Sequence, residues 1–127
     1  MNKYIGIPFV DRGNSIDGAD CYGILRLIYR DALSIELPEF HGSCNSTKLI
    51  FSDYLKQIAE HWELVEEPKI YDVVAMAHDP RHPRVIQHFG LYIGDGLVLH
   101  TLENIGSHVI KLEELKYYVK GIYRWQK

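Results

Sequence analysis

Residues 85–103, VIQHFGLYIGDGLVLHTLE, constrain the fold more than any other stretch of the chain. Two apolar or alternating runs flank Gly94-Asp95-Gly96, the pattern of an antiparallel hairpin. Its register can be tested by parity, because side chains alternate between the faces of a strand. A two-residue turn at Asp95-Gly96 pairs Leu91 with His100 and sends His88 and His100 to opposite faces. A three-residue loop, Gly94 to Gly96, pairs Ile93 with Leu97 and Gly90 with His100. The two histidines then share a face as diagonal neighbours, about 7 Å apart at the backbone. Gly90 leaves space for the His100 ring, and Phe89, Leu91, Ile93, Leu97 and Leu99 gather on the other face, as a core requires. Packing selects the three-residue loop.

Around this hairpin the period of the apolar residues changes once. From Asp20, Ile24, Leu25, Leu27, Ile28, Ala32 and Leu33 form a helical stripe, with Arg26, Arg30 and Asp31 towards solvent. Asp20 is suited to cap the helix, and "ELP", ending at Pro38, closes it. After the loop "EFHGSCNST", with Ser46 or Thr47 as the next cap, Leu49, Ile50, Tyr54, Leu55, Ile58 and Ala59 predict a second amphipathic helix to about His61. Beyond "EEPK" the chain reads as extended. "YDVVAMA" is a short buried strand, "HDPRHPR" a loop, "HVIKL" a strand, "LEELKYYV" a short helix or turn, and "GIYRW" a last strand. Helices first and an antiparallel meander afterwards make an α+β chain.

At 127 residues, residues 1–127 are expected to form one domain. A net charge of -3 with mixed signs, and no basic stripe, argues against a nucleic-acid partner. No apolar run approaches the roughly 18 residues of a membrane span. The start, "MNKYIGIPFVDRG", does not read as a secretory signal, which points to synthesis in the cytoplasm or to a trimmed chain. Two cysteines, Cys21 and Cys44, make no disulfide framework and read as free thiols.

"GADCYGILRLIY", residues 18–29, puts Cys21 in the first turn of the predicted helix. A free cysteine is often a small buried hydrophobe. At a helix start, however, the unsatisfied N–H groups and the dipole favour a thiolate. Pattern alone leaves both readings open. A nucleophile needs a base and the base an orienter; among seven histidines, His88 and His100 share the hairpin. His78 and His82 have a His-x3-His spacing, but Pro80 and Pro83 forbid the helix that would align them on a metal. A solvated loop rather than a metal site is the expectation there.

"DGADCYG", "EPKIYDVVAM" and "HFGLYIGDGLVLH" together resemble the NlpC/p60 cysteine peptidases of bacterial cell walls, from about Ile7 to Trp125. The resemblance implies a papain-like core, N-terminal helices on an antiparallel sheet, and a triad: Cys21 nucleophile, His88 base, His100 orienter. It also gathers the Cys21 backbone, Phe9, Asp20 and Tyr22 around the oxyanion and substrate. Phe9 stands where many members carry a tyrosine whose hydroxyl assists the oxyanion hole. Tyr22 stands where many carry serine, a "DCYG" form similar to phage-tail versions. The implied activity is hydrolysis of peptidoglycan stem peptides, at a γ-D-glutamyl-diamino acid bond, with no metal or cofactor needed. A phage or prophage origin, with tail proteins as partners and a virion-borne location, goes with it. The alternatives are a CHAP-type amidase and a non-catalytic tail-assembly protein on the same fold.

Overall fold

The computed structural model describes residues 1–39, 54–58 and 60–126. Helix α1, Cys21–Ile28, is followed without a break by a π-helical turn, Tyr29–Leu33. The expected stripe is buried as far as Ile28, but Ala32 is exposed and Leu33 half-buried. An i→i+5 turn changes the angular phase of the side chains, which rotates Ala32 off the core face. Ser34, at φ 56, ends the helical run four residues before Pro38. Residues 54–58 and 60–61 are helical, as expected of the second helix. Its expected start, with Ser46, Thr47, Leu49 and Ile50, lies outside the described residues.

Among the described residues the strands are, in chain order, β1 (Asn14–Ser15), β2 (Gly18–Ala19), β3 (Trp62–Val65), β4 (Val73–Met76), β5 (His88–Gly94), β6 (Leu97–Leu102), β7 (Gly106–Lys111) and β8 (Val119–Trp125). The first two form a small ribbon against α1; the others make one antiparallel sheet in the order β3-β8-β4-β5-β6-β7. Strands β4 to β7 are the expected meander. The last strand does not extend it. β8 returns to the far side of β4, and β3 pairs on its outer edge. Sequence reading missed β3, whose Glu63 and Leu64 are exposed and give no alternation to detect.

The sheet is covered on both faces, so the continuous apolar run of β4 is buried from end to end. Ile24, Leu25 and Ile28 of α1 share a core with Phe89, Leu91 and Leu99. On the other face, Val74, Met76 and Val98 pack with Leu115 of a 3-10 turn, Leu112–Leu115. This fold is the α+β architecture expected.

The hairpin reaches the expected register by another route. Its turn has two residues, Asp95 and Gly96, both at positive φ, the backbone that an Asp-Gly turn supplies. A bulge between Tyr92 and Gly94 then takes up one residue, so Leu91 pairs with Leu99 and Tyr92 with Val98. Parity is restored. A Cβ on Gly90 would lie 3.3 Å from His100 Cβ and 2.6 Å from Val98 Cγ1, so the hydrogen at this position keeps the two strands in contact.

Candidate active site

Cys21 is the first residue of α1, and Asp20 caps it. Asp20 Oδ1 accepts the Gly23 N–H at 2.7 Å, and Oδ2 accepts the Arg12 N–H at 2.8 Å. One carboxylate thereby satisfies an orphan donor of the helix and ties the preceding loop to it. Gly23 permits this closeness: a Cβ there would stand 1.7 Å from the Gly13 carbonyl oxygen. Asp20 spends both oxygens on backbone. Tyr22 turns into the core, its ring 6.1 Å from Phe89 and its hydroxyl donating to the Pro38 carbonyl.

An open cleft of about 520 Å³ lies over the head of α1. Cys21, His88 and Phe9 line it together, joined by His78, Gln87 and Thr101. His88 and His100 lie on one face of the hairpin, both buried, with His88 Nε2 2.9 Å from His100 Nδ1. The structure therefore brings Cys21, His88 and Phe9 to one cleft and sets His100 behind His88. Cys44 lies outside the described residues.

Electrostatics at the helix head work in opposite directions. Burial, and after it the Asp20 carboxylate, push the Cys21 thiol up to about 12. The N–H groups of Phe89, Tyr22 and Cys21 pull the other way without prevailing. Burial thus outweighs the helix head, and the resting group is a thiol. His88 is held well below the ordinary imidazole value by burial and then by His100, His78 and His108. Burial, with His108 and His78, brings His100 down to about 4. A neutral His88 thus shares the cleft with a neutral thiol, and His100 stands behind it. Such a set can pass a proton from sulfur to ring while sulfur attacks a carbonyl.

His78 was expected to be a bystander in a solvated loop, yet its ring lies 5.0 Å from that of His88. His108, across the ladder from His100, puts its ring 4.5 Å from it. Four imidazoles thus run side by side from the cleft to the edge strand. The parity that pairs His88 with His100 could have reached His108 had it been carried through the next turn. Nothing in the proline-broken loop signals His78. Among the described residues, no three His, Cys, Asp or Glu side chains converge as metal ligands do.

The model of the NlpC/P60 family matches residues 6–124. No curated protein sequence matches the chain. Among solved structures, NlpC1 from Trichomonas vaginalis superposes with a TM-score of 0.76 at 21% identity, covering 99% of this chain and 42% of that one. NlpC2 from the same organism gives 0.74 at 21%, covering 98% and 44%. The chain thus spans less than half the length of either. The NlpC/p60 domain of the peptidoglycan hydrolase SagA gives 0.66 at 19%, covering 97% and 91%. These likenesses establish a shared fold.

Proposed function

Because the chain belongs to the NlpC/P60 family, we propose that it is a cysteine endopeptidase cutting peptide bonds in peptidoglycan stems. The observation that carries this reading is the meeting of Cys21 and His88 in one cleft, with His88 Nε2 held 2.9 Å from His100. Since Nε2 is engaged, Nδ1 is the ring nitrogen left to take the Cys21 proton. The sulfur attacks the scissile carbonyl as that proton moves, and the backbone N–H groups at the head of α1 hold the oxyanion. His88 returns the proton to the leaving amine, and water releases the acyl group from Cys21. His100 keeps the ring in orientation.

The finer parts of the proposal rest on motif. The three motifs are similar to those of γ-D-glutamyl-diamino acid endopeptidases, which supports that bond. "DCYG" is similar to phage-tail forms, which supports a tail-associated, virion-borne enzyme synthesised in the cytoplasm, with tail proteins as partners. Phe9, without the hydroxyl many members use, favours a second reading, a non-catalytic tail protein on this fold.

Digestion of purified diamino-acid peptidoglycan separates the two, with products read by mass spectrometry. New termini at the γ-D-glutamyl-diamino acid bond are expected. They should vanish in Cys21→Ala and fall by about 10²–10⁴-fold in His88→Ala. Intact stems after prolonged incubation with folded wild-type protein would sink the peptidase reading.

A further inference from the structure

Beside His88 the β4–β5 ladder runs out, and its next backbone donor is met by a side chain. The ladder ends with Met76 opposite His88, closed by the Gln87 N–H, which donates to the Met76 carbonyl at 3.1 Å. One residue on, the Ala77 N–H turns away to the Tyr118 carbonyl, 2.9 Å distant. The His78 N–H has left the ladder, and a half-buried backbone donor needs an acceptor. Gln87 Oε1 supplies it at 2.6 Å. A backbone N–H can only donate, so it fixes which end of the carboxamide faces it. The other end, Nε2, is buried and has no hydrogen-bond partner. An unpaired buried donor costs stability. What Gln87 contributes here is its oxygen.

That oxygen sits at the root of the ring contact on the base. With its backbone held by Gln87, His78 lays its ring 5.0 Å from that of His88, tilted by 38°, and 5.2 Å from the ring of Tyr118. His88 therefore has two imidazoles against it: His100 of β6, bonded at Nε2, and His78 of the loop after β4. Residues 80–84 of that loop are exposed, so the placing of His78 falls to the loop's two ends. The Gln87 carboxamide ties those ends together.

Resting on the peptidase reading above, we propose that Gln87 is a positioning residue whose carboxamide oxygen holds the His78 backbone so that the His78 ring stands as a wall against His88, the base. The titratable groups acting on His88 are His78, His100, His108 of β7 and, across the cleft, the Cys21 thiol of α1. Asp79, Arg81 and Glu103 line the same cleft, the first two paired with each other at 2.9 Å. Burial and the neighbouring imidazoles hold His88 well below 6.5, so it stays neutral, and able to take the Cys21 proton, into acid. With the Gln87 bond cut, His78 swings away, water reaches His88 and a repelling neighbour is lost. Both changes raise His88 towards 6.5. The site then loses its base at a higher pH than the wild type does.

NMR of the resting protein tests this without substrate. Carbon-bound ring protons of His88 give its titration midpoint, and hydrogen exchange gives the state of the His78 amide. In the wild type that amide should exchange slowly, and His88 should stay neutral well below pH 6.5. Gln87→Met keeps the length of the side chain without the acceptor. It should speed exchange of the His78 amide by about tenfold and move the His88 midpoint up towards 6.5. The acid limb of Cys21 alkylation by iodoacetamide should move with it. His78→Ala should shift the midpoint in the same direction. Gln87→Met added to His78→Ala should shift it no further, since the first acts through the second. A freely exchanging His78 amide in the wild type overturns the proposal, whatever the stability of the variants. A His88 midpoint unmoved by Gln87→Met overturns it too, as does a double variant that shifts by the sum of the single shifts. If the midpoints respond as expected while wild-type protein leaves peptidoglycan intact, the peptidase reading fails and the positioning role stands. Cleavage together with an unmoved midpoint means the reverse.

Discussion

Cys21 sits between opposing influences at the head of α1. Backbone N–H groups favour its thiolate, while burial and the neighbouring Asp20 carboxylate favour the thiol and prevail. Asp20→Asn removes the charge while keeping one of the two backbone bonds, its NH2 being unable to accept from the Arg12 N–H. Asparagine caps a helix as well as aspartate does, so the Gly23 N–H keeps its acceptor. The negative charge beside sulfur disappears, and iodoacetamide should alkylate Cys21 faster than in the wild type, with the apparent thiol pKa shifted downward. An unchanged alkylation–pH profile would mean that burial alone sets the thiol. The histidines give a stability test. The ordinary, unfolded His value of 6.5 lies above the folded value of about 4 for His100. Between these values the unfolded chain binds more protons, so stability is fully present above 6.5 and is lost as pH falls towards 4. His88, lowered in the same direction, adds to the effect. Thermal melts from pH 7 to 4 should show this fall, and His100→Asn, which has nothing to titrate there, should flatten it.

Two elements hold the chemistry in place. The first is the joint between α1 and the loop before it, where Gly23 and Gly13 meet backbone to backbone. Gly23→Ala offers better helix propensity, but its methyl group would stand 1.7 Å from the Gly13 carbonyl oxygen and 3.0 Å from Asp20 Oδ1. The clash should dominate, with a loss of about 1–3 kcal/mol in chemical denaturation and slower turnover as the Asp20 cap shifts. A variant as stable as the wild type would show that this loop yields. The second element is the β5–β6 hairpin. Its bulge sits between the turn and the histidines, so the short Asp-Gly turn and the shared face of His88 and His100 coexist.

Over the whole molecule, β8 joins parts of the chain that the sequence keeps far apart. Arg124 on β8 grips Asp72, just before β4, through Nε at 2.9 Å and Nη2 at 2.7 Å. Asp72 is buried and also accepts the Lys69 N–H. Arg124→Met should therefore lower the melting temperature more than Asp72→Asn. The first strands a carboxylate in the interior, whereas the second leaves a partly exposed guanidinium that water can solvate. Equal losses in the two variants would show that the pair contributes through packing rather than charge.

The sequence by itself determined the local elements with a strong period or cap: α1 with Asp20 at its head, the β5–β6 hairpin, and β4 as a buried run. Parity on the hairpin was enough to put His88 and His100 on one face, because a core admits one phase of an alternating strand. Tertiary structure decided the rest. Neither the return of β8 to β4 nor the pairing of β3 is encoded in a local period, since both strands are chosen by partners distant in the chain. The loop that brings His78 to the cleft has no regular pattern to read. The charge state of Cys21 was equally out of reach: a helix start is visible in a sequence, whereas the depth at which it is buried is a property of everything packed around it.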